Sequence, residues 1–330
     1  MTVWIAVAAA AVLGSRGLPA EAIGSEPAGG CSAPPAFASM QCTDEESGAL
    51  IAAGWMLSLI RALAPAACVF CALLLGSESV ASCPEPGASQ QQLSFADRQR
   101  IFSLYIPPAA QAPSASSPLL VLLHGSFQRG DHILRMWIEL ADREGLILAA
   151  PQALDESAWH IRADGPAFIR EVVEAIAARC AVDRRRTYLF GDSGGAVYAL
   201  TLALIESEYF AAAAVHAGAW RAREDFAVVS YAKRKIPVSI FVGDIDELFS
   251  VRSVRQTERA LRDAGHPVNV TIMKGHGHAY GRVAPKVNAA AWAFLQPVSL
   301  ESDPRGSSQA VDQPAAGTAS NAMVVRGTEP

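Results

Sequence analysis

From about residue 98 to residue 297 the chain alternates short apolar runs with longer amphipathic stretches. Residues 101–106 read as an early strand closed by Pro107-Pro108. The continuous apolar run 119–123 has the character of a central strand buried on both faces. The pattern then predicts a helix over 133–143, a strand over 146–150 and an amphipathic helix over 168–179. On that last helix Ile169, Val172, Val173, Ile176 and Ala177 share one face. Further strands are expected at 188–191, 211–215, 238–242 and 268–273, with helices after Ser193, at 251–264 and at 284–294. Strands alternating with helices predict an α/β protein with a mostly parallel sheet covered by helices on both faces. No internal repeat is present, and one domain over 95–297 accounts for the pattern.

The two ends differ in kind. Residues 15–48 are rich in Gly, Pro, Ser and Ala without periodicity, and 298–330 read as a disordered tail. Residues 56–83 run from Met56 through Arg61 and an Ala-, Cys- and Leu-rich core to Val80-Ala-Ser-Cys83, the plan of a secretory signal. Such a signal is expected at a start, so residues 1–55 are read as a disordered or mis-called extension. Ser79-Val-Ala81 fits an ordinary cleavage site, whereas Val80-Ala-Ser-Cys83 resembles a lipobox and makes Cys83 a lipidation candidate. Residues 49–75 together are long enough for an uncleaved anchor. The expectation is an exported protein, with membrane attachment through an N-terminal lipid or hydrophobic segment as the alternative to simple secretion.

Composition narrows the field further. The chain has 330 residues, 51% of them hydrophobic, and a net charge of -5 with the two signs interspersed. Arg184-Arg-Arg186 is a compact basic cluster just before the elbow strand, where a solvated loop is expected, and no nucleic-acid partner is expected. Of the six cysteines, four precede the expected cut, Cys83 lies at it and only Cys180 lies inside the body. That distribution predicts no disulfide framework. No metal-like Cys/His spacing occurs, and neither a metal nor another cofactor is expected.

The chemistry is concentrated in Tyr188-Leu-Phe-Gly-Asp-Ser-Gly-Gly-Ala-Val-Tyr198. An apolar strand ends in a glycine-flanked serine and a helical stretch follows, which matches the G-x-S-x-G nucleophile elbow. Chymotrypsin-like proteases also carry Gly-Asp-Ser-Gly-Gly, but they are all-β and place their histidine and aspartate upstream of the serine. Nothing of that kind precedes Ser193. In the elbow fold the partners follow the serine in the order acid, then histidine, on loops after strands. Gly243-Asp-Ile-Asp246 offers Asp246, with Asp244 as the rival. Lys274-Gly-His-Gly-His278 offers His278, with His276 as the alternative. Oxyanion donors are expected at the backbone N–H of Gly194 and in the loop His124-Gly-Ser-Phe127, from Ser126 or, alternatively, Phe127. His124 is expected to brace that loop. Trp159, Phe127 and Tyr280 are aromatic candidates for a pocket wall, with plain core as the competing assignment.

Leu104-Tyr-Ile-Pro-Pro108, Leu122-Leu-His-Gly125, Ala141-Asp-Arg-Glu-Gly145, Ala150-Pro-Gln-Ala-Leu154, Trp159 and Asp183-Arg-Arg-Arg186 stand in order ahead of the elbow. Together they resemble the α/β-hydrolase group of polyhydroxybutyrate-depolymerase-like and feruloyl-esterase-like proteins, over roughly residues 95–297. The resemblance implies a Ser193/Asp246/His278 triad hydrolysing a carboxylic ester through an acyl-enzyme, with a small-molecule or oligomeric ester as substrate. It also implies an aromatic two residues beyond the histidine, which Tyr280 supplies for His278. Asp192 departs from the neutral residue or histidine that many relatives carry before the serine. It is expected either to disfavour anionic substrates or to pair with an arginine. The absence of a lid or polymer-binding segment argues against depolymerisation of an insoluble polymer. The competing readings are a serine peptidase or amidase on the same fold and a non-catalytic exported binding relative.

Overall fold

Eight strands form one sheet in the order β1-β2-β4-β3-β6-β7-β8-β9 in the computed structural model of the chain, which describes residues 82–112, 116–304 and 324–326. The strands are β1 (Gly87–Phe95), β2 (Arg98–Ile106), β3 (Ser117–Leu123), β4 (Ile147–Pro151), β6 (Val182–Asp192), β7 (Ala212–His216), β8 (Val238–Gly243) and β9 (Val268–Met273). β1 pairs antiparallel with β2, and β2 antiparallel with β4; every pairing from β4 across to β9 is parallel. Parallel strands need crossovers, and helices supply them: α1 (Gly130–Arg135), α2 (Ile138–Glu144), α3 (Pro166–Ala177), α4 (Gly194–Ile205), α5 (Arg223–Phe226) and α6 (Val251–Asp263), with α7 (Ala284–Leu295) following the last strand. The expected α/β architecture is therefore the one observed.

The sheet divides the core in two. On one side Phe168, Ile169, Val172 and Val173 of α3, the apolar residues from Ala196 to Leu204 of α4 and Val254 and Leu261 of α6 pack against Leu119, Val121 and Leu123 of β3. On the other, Ile133, Leu140, Val287 and Leu295 from α1, α2 and α7 cover Leu120, Leu122 and Phe190. Every residue of β3 is buried, as its unbroken apolar run requires.

Four expectations need correction. The single helix over 133–143 is two, because the amides of Met136 and Trp137 turn back to the carbonyls of Ile133 and Leu134. That tight turn puts the Trp137 ring edge-on to Phe190 at 4.8 Å and buries it fully. The domain starts before residue 95, since β1 adds nine residues to the sheet edge. The segment 298–330 is not wholly a tail. Leu300 is buried, its N–H meets Arg185 O at 2.9 Å, and Val324–Arg326 pairs antiparallel with the short strand β5 (Ala158–His160) as β10.

Finally, Cys83 and Cys180 are joined as a disulfide. Cys83 sits just ahead of β1, Cys180 just past α3, and Arg179 Nε reaches Ser82 O nearby. One sulfur cannot hold both this bond and a lipid thioether, so the lipidation assignment of Cys83 is incompatible with this state. The expected signal over 56–83 otherwise lies outside the described residues, as do residues 1–55. No helix among the described residues is long and apolar enough to cross a membrane. The bond closes a long loop, its two ends 97 positions apart in the sequence. Cys180→Ser is accordingly expected to lower unfolding free energy by about 2–5 kcal/mol. Denaturant midpoints of the two proteins under non-reducing conditions measure it; equal midpoints would mean the bond contributes nothing to the fold.

Candidate active site

The carboxyl ends of β3, β6, β7, β8 and β9 converge on Ser193. β6 ends at Asp192 and α4 begins at Gly194, so a single residue turns the chain from strand to helix. Ser193 makes that turn at φ 52°, ψ -118°, a conformation L-residues avoid. The turn closes only because of its glycines. A Cβ on Gly191 would lie 2.2 Å from Gly195 O, and one on Gly195 would lie 2.1 Å from Leu123 O. The Ser193 amide is held by His216 O at 3.0 Å.

The loop after β9 brings in His278. Its Nε2 lies 2.9 Å from Ser193 Oγ, and its Nδ1 lies 3.1 Å from Asp246 Oδ2. Asp246 is fixed in turn, because its Oδ1 accepts the amides of Leu248 (2.9 Å) and Phe249 (2.7 Å). Two amide donors and an imidazole around one buried carboxylate favour its charge. Burial pushes the Asp246 acid up, but the His278 hydrogen bond and the Phe249 and Leu248 amides outweigh it and leave it below the usual carboxylate range. An ionised Asp246 only accepts, so His278 carries its proton on Nδ1 and turns a bare Nε2 to the serine. Burial would lower the His278 pKa. The Asp246 hydrogen bond and charge, with Asp192 and Glu247 behind them, raise it above its ordinary value instead. The ring of Phe249 stacks on His278 at 5.8 Å and is itself capped by the Arg221 guanidinium.

The rival residues stand elsewhere. Asp244 is exposed and accepts the Gly275 amide at 2.6 Å, which braces the histidine loop. His276 turns its Nε2 toward His216 at 3.2 Å, away from the serine.

Gly194 opens α4, where helix amides have no carbonyl within the helix to meet. The loop after β3 abuts it: Ser126 N lies 3.3 Å, and Ser126 Oγ 2.5 Å, from where a Gly194 Cβ would stand. Of the two loop candidates, Phe127 has its amide committed to Glu156 O at 2.7 Å, which leaves that of Ser126. Ser126 Oγ is buried without a hydrogen-bond partner. His124 braces the loop as expected. Its Nε2 accepts the Ala153 amide, so Nδ1 bears the proton given to Gly125 O at 2.8 Å. Trp159 and Tyr280 are core residues, whereas Phe127 is 65% exposed beside the loop.

Residues 100–261 match the family described as Esterase PHB depolymerase. The architecture is the α/β-hydrolase fold. Solved structures similar to this chain include a thermostable esterase (21% identity, TM-score 0.53), over 64% of this chain and 63% of that one. A ferulic acid esterase aligns at 17% identity with TM-score 0.53, over 63% of this chain and 97% of its own. Esterase 2 of Thermogutta terrifontis, solved phosphonylated by cyclosarin, aligns at 20% identity and TM-score 0.54, over 65% and 96%. At these identities the likeness speaks for the fold alone. No curated protein sequence matches the chain.

Sequence reasoning missed one part of the site. The motifs do not single out His216, and the sequence leads one to expect Asp192 to meet substrate charge or an arginine. Asp192 is instead buried and its Oδ1 meets His216 Nδ1 at 2.8 Å. The signal was available in the strand register, since β6 and β7 pair Asp192 directly with His216.

Proposed function

We propose that this protein is an exported serine esterase that hydrolyses small or oligomeric carboxylic esters through an acyl-enzyme on Ser193. The observation that carries the reading is the 2.9 Å approach of His278 Nε2 to Ser193 Oγ, with Asp246 on the far nitrogen. His278 takes the serine proton as Oγ attacks the ester carbonyl. The amides of Gly194 and Ser126 hold the oxyanion, and His278 returns the proton to the leaving alkoxide. Water, deprotonated by the same imidazole, then frees the acid and restores Ser193.

Phe127 and Ile245, 65% and 64% exposed, are apolar residues on the oxyanion and acid loops and suit an apolar ester group. Export is supported by the Cys83–Cys180 bond, since disulfides persist in oxidising compartments. It favours cleavage upstream of Cys83, as at Ala81, over lipidation.

The test is to treat the full chain with a fluorophosphonate probe and to assay p-nitrophenyl esters from acetate to octanoate. Labelling at Ser193 together with ester turnover is the expected result. A folded protein that takes no label and cleaves no ester would overturn the reading. Labelling with cleavage of amides but no esters would assign a peptidase instead.

A further inference from the structure

Behind the serine lies a second carboxylate–imidazole chain that the acyl-transfer steps do not use. Asp192 Oδ1 meets His216 Nδ1 at 2.8 Å, and His216 Nε2 meets His276 Nε2 at 3.2 Å. All three side chains are buried, His216 completely. The chain is fastened to each part of the site. His216 O holds the Ser193 amide, and His276 O accepts the Ile245 amide at 3.1 Å, next to Asp246. Tyr280 lays its ring on His216 at 5.1 Å.

The protons in this chain are constrained. A carboxylate accepts only, so His216 carries a proton on Nδ1. The facing Nε2 atoms must share one proton, given by one imidazole to the other. With both imidazoles neutral the chain carries one negative charge, that of Asp192. A further proton on either ring cancels it. Burial, and next the neighbouring His216, depress the His276 pKa, which keeps His276 neutral near pH 7.

We propose that Asp192, His216 and His276 form a proton-holding chain that positions the elbow and places a negative charge behind His278. Asp192 is thus a positioning residue acting through the general base. The proposal rests on the esterase reading above. When His278 takes the Ser193 proton it becomes an imidazolium, and a buried anion nearby favours that state. The groups facing His278 are Asp246 and Glu247 from the loop after β8, Asp192 from β6 and His276 from its own loop. Those facing His276 are His216, Asp246, His278 and Arg282.

Two substitutions in the full chain separate tuning from mere packing. Asp192→Asn retains an oxygen that accepts from His216 Nδ1 but removes the charge. His216→Gln retains the charge and offers Asp192 an amide N–H. Fluorophosphonate labelling rates and kcat/KM for p-nitrophenyl acetate are measured from pH 5 to 9, with thermal unfolding as the check on folding.

In Asp192→Asn the acid limb of both profiles is expected to fall by roughly half to one pH unit, with kcat down about three- to tenfold. In His216→Gln the limb is expected at or above the wild-type position. A folded Asp192→Asn protein whose limb coincides with wild type would overturn the proposal and leave the esterase reading intact. If Asp192→Asn does not fold, His216→Gln decides, and a limb below wild type would overturn it. A wild type that neither labels nor turns over ester would remove both.

Discussion

Ser193→Ala is expected to reduce kcat for p-nitrophenyl esters by about 10^6, which leaves only the turnover that binding and oxyanion stabilisation provide. The size follows from what the hydroxyl does. It is the atom that becomes acylated, and nothing among its neighbours replaces it. His278 faces it directly, while His276 and His216 are engaged with each other. The fold should be indifferent to the change. Alanine meets the same backbone penalty at φ 52° that serine does, and the hydroxyl's one protein partner is His278. Unfolding free energy within about 0.5 kcal/mol of wild type is therefore expected. Steady-state kinetics on both proteins, prepared side by side, supply the measurement. A variant keeping more than a tenth of the wild-type rate would remove Ser193 from the chemistry.

Asp246→Asn is the second large effect, with kcat expected to fall by about 10^4. The Asn oxygen can still accept the Leu248 and Phe249 amides, so the loop keeps its shape. What then faces His278 Nδ1 is an NH2 group that donates, and the imidazole is driven to the tautomer with its proton on Nε2. That nitrogen can no longer take the serine proton. A change in pH dependence accompanies the loss. In the wild type, burial lowers the His278 pKa but the Asp246 bond and charge raise it further. The base must be neutral to act, so wild-type kcat/KM is expected to fall off below a pH above the ordinary histidine value of about 6.5. Without the carboxylate that fall moves to lower pH. A loss of less than tenfold would assign the orienting role to another group.

The parallel core was legible because each central strand is an unbroken apolar run, and because Gly191 and Gly195 mark a turn that few folds contain. β1 was not, for a physical reason. Gly87-Ala-Ser-Gln-Gln-Gln-Leu-Ser-Phe95 is an edge strand whose residues alternate between exposed and half-buried, and it holds almost no apolar signal. Its pairing with β2 is what carries Cys83 toward Cys180, so missing the strand also hid the disulfide. The choice of Asp246 over Asp244 and of His278 over His276 turned on loop positions that strand ends only approximate. The structure brings the favoured pair together at the serine. The Asp192–His216 contact needed the register between two neighbouring strands, which a linear reading lacks. Tyr280 satisfied the aromatic spacing expected beyond His278, yet its ring lies in the core against Phe190 and His216.

The disulfide also divides the site along the chain. The covalent loop it closes, 83 to 180, contains the oxyanion loop at 124–127, whereas Ser193, Asp246 and His278 all lie beyond it. A protease that cuts once within the loop releases nothing, because both pieces stay joined through sulfur and the oxyanion loop stays tethered to the serine half. A cut between Cys180 and Ser193 parts the two halves with no covalent tie between them. The same nick is thus silent on one side of Cys180 and severing on the other.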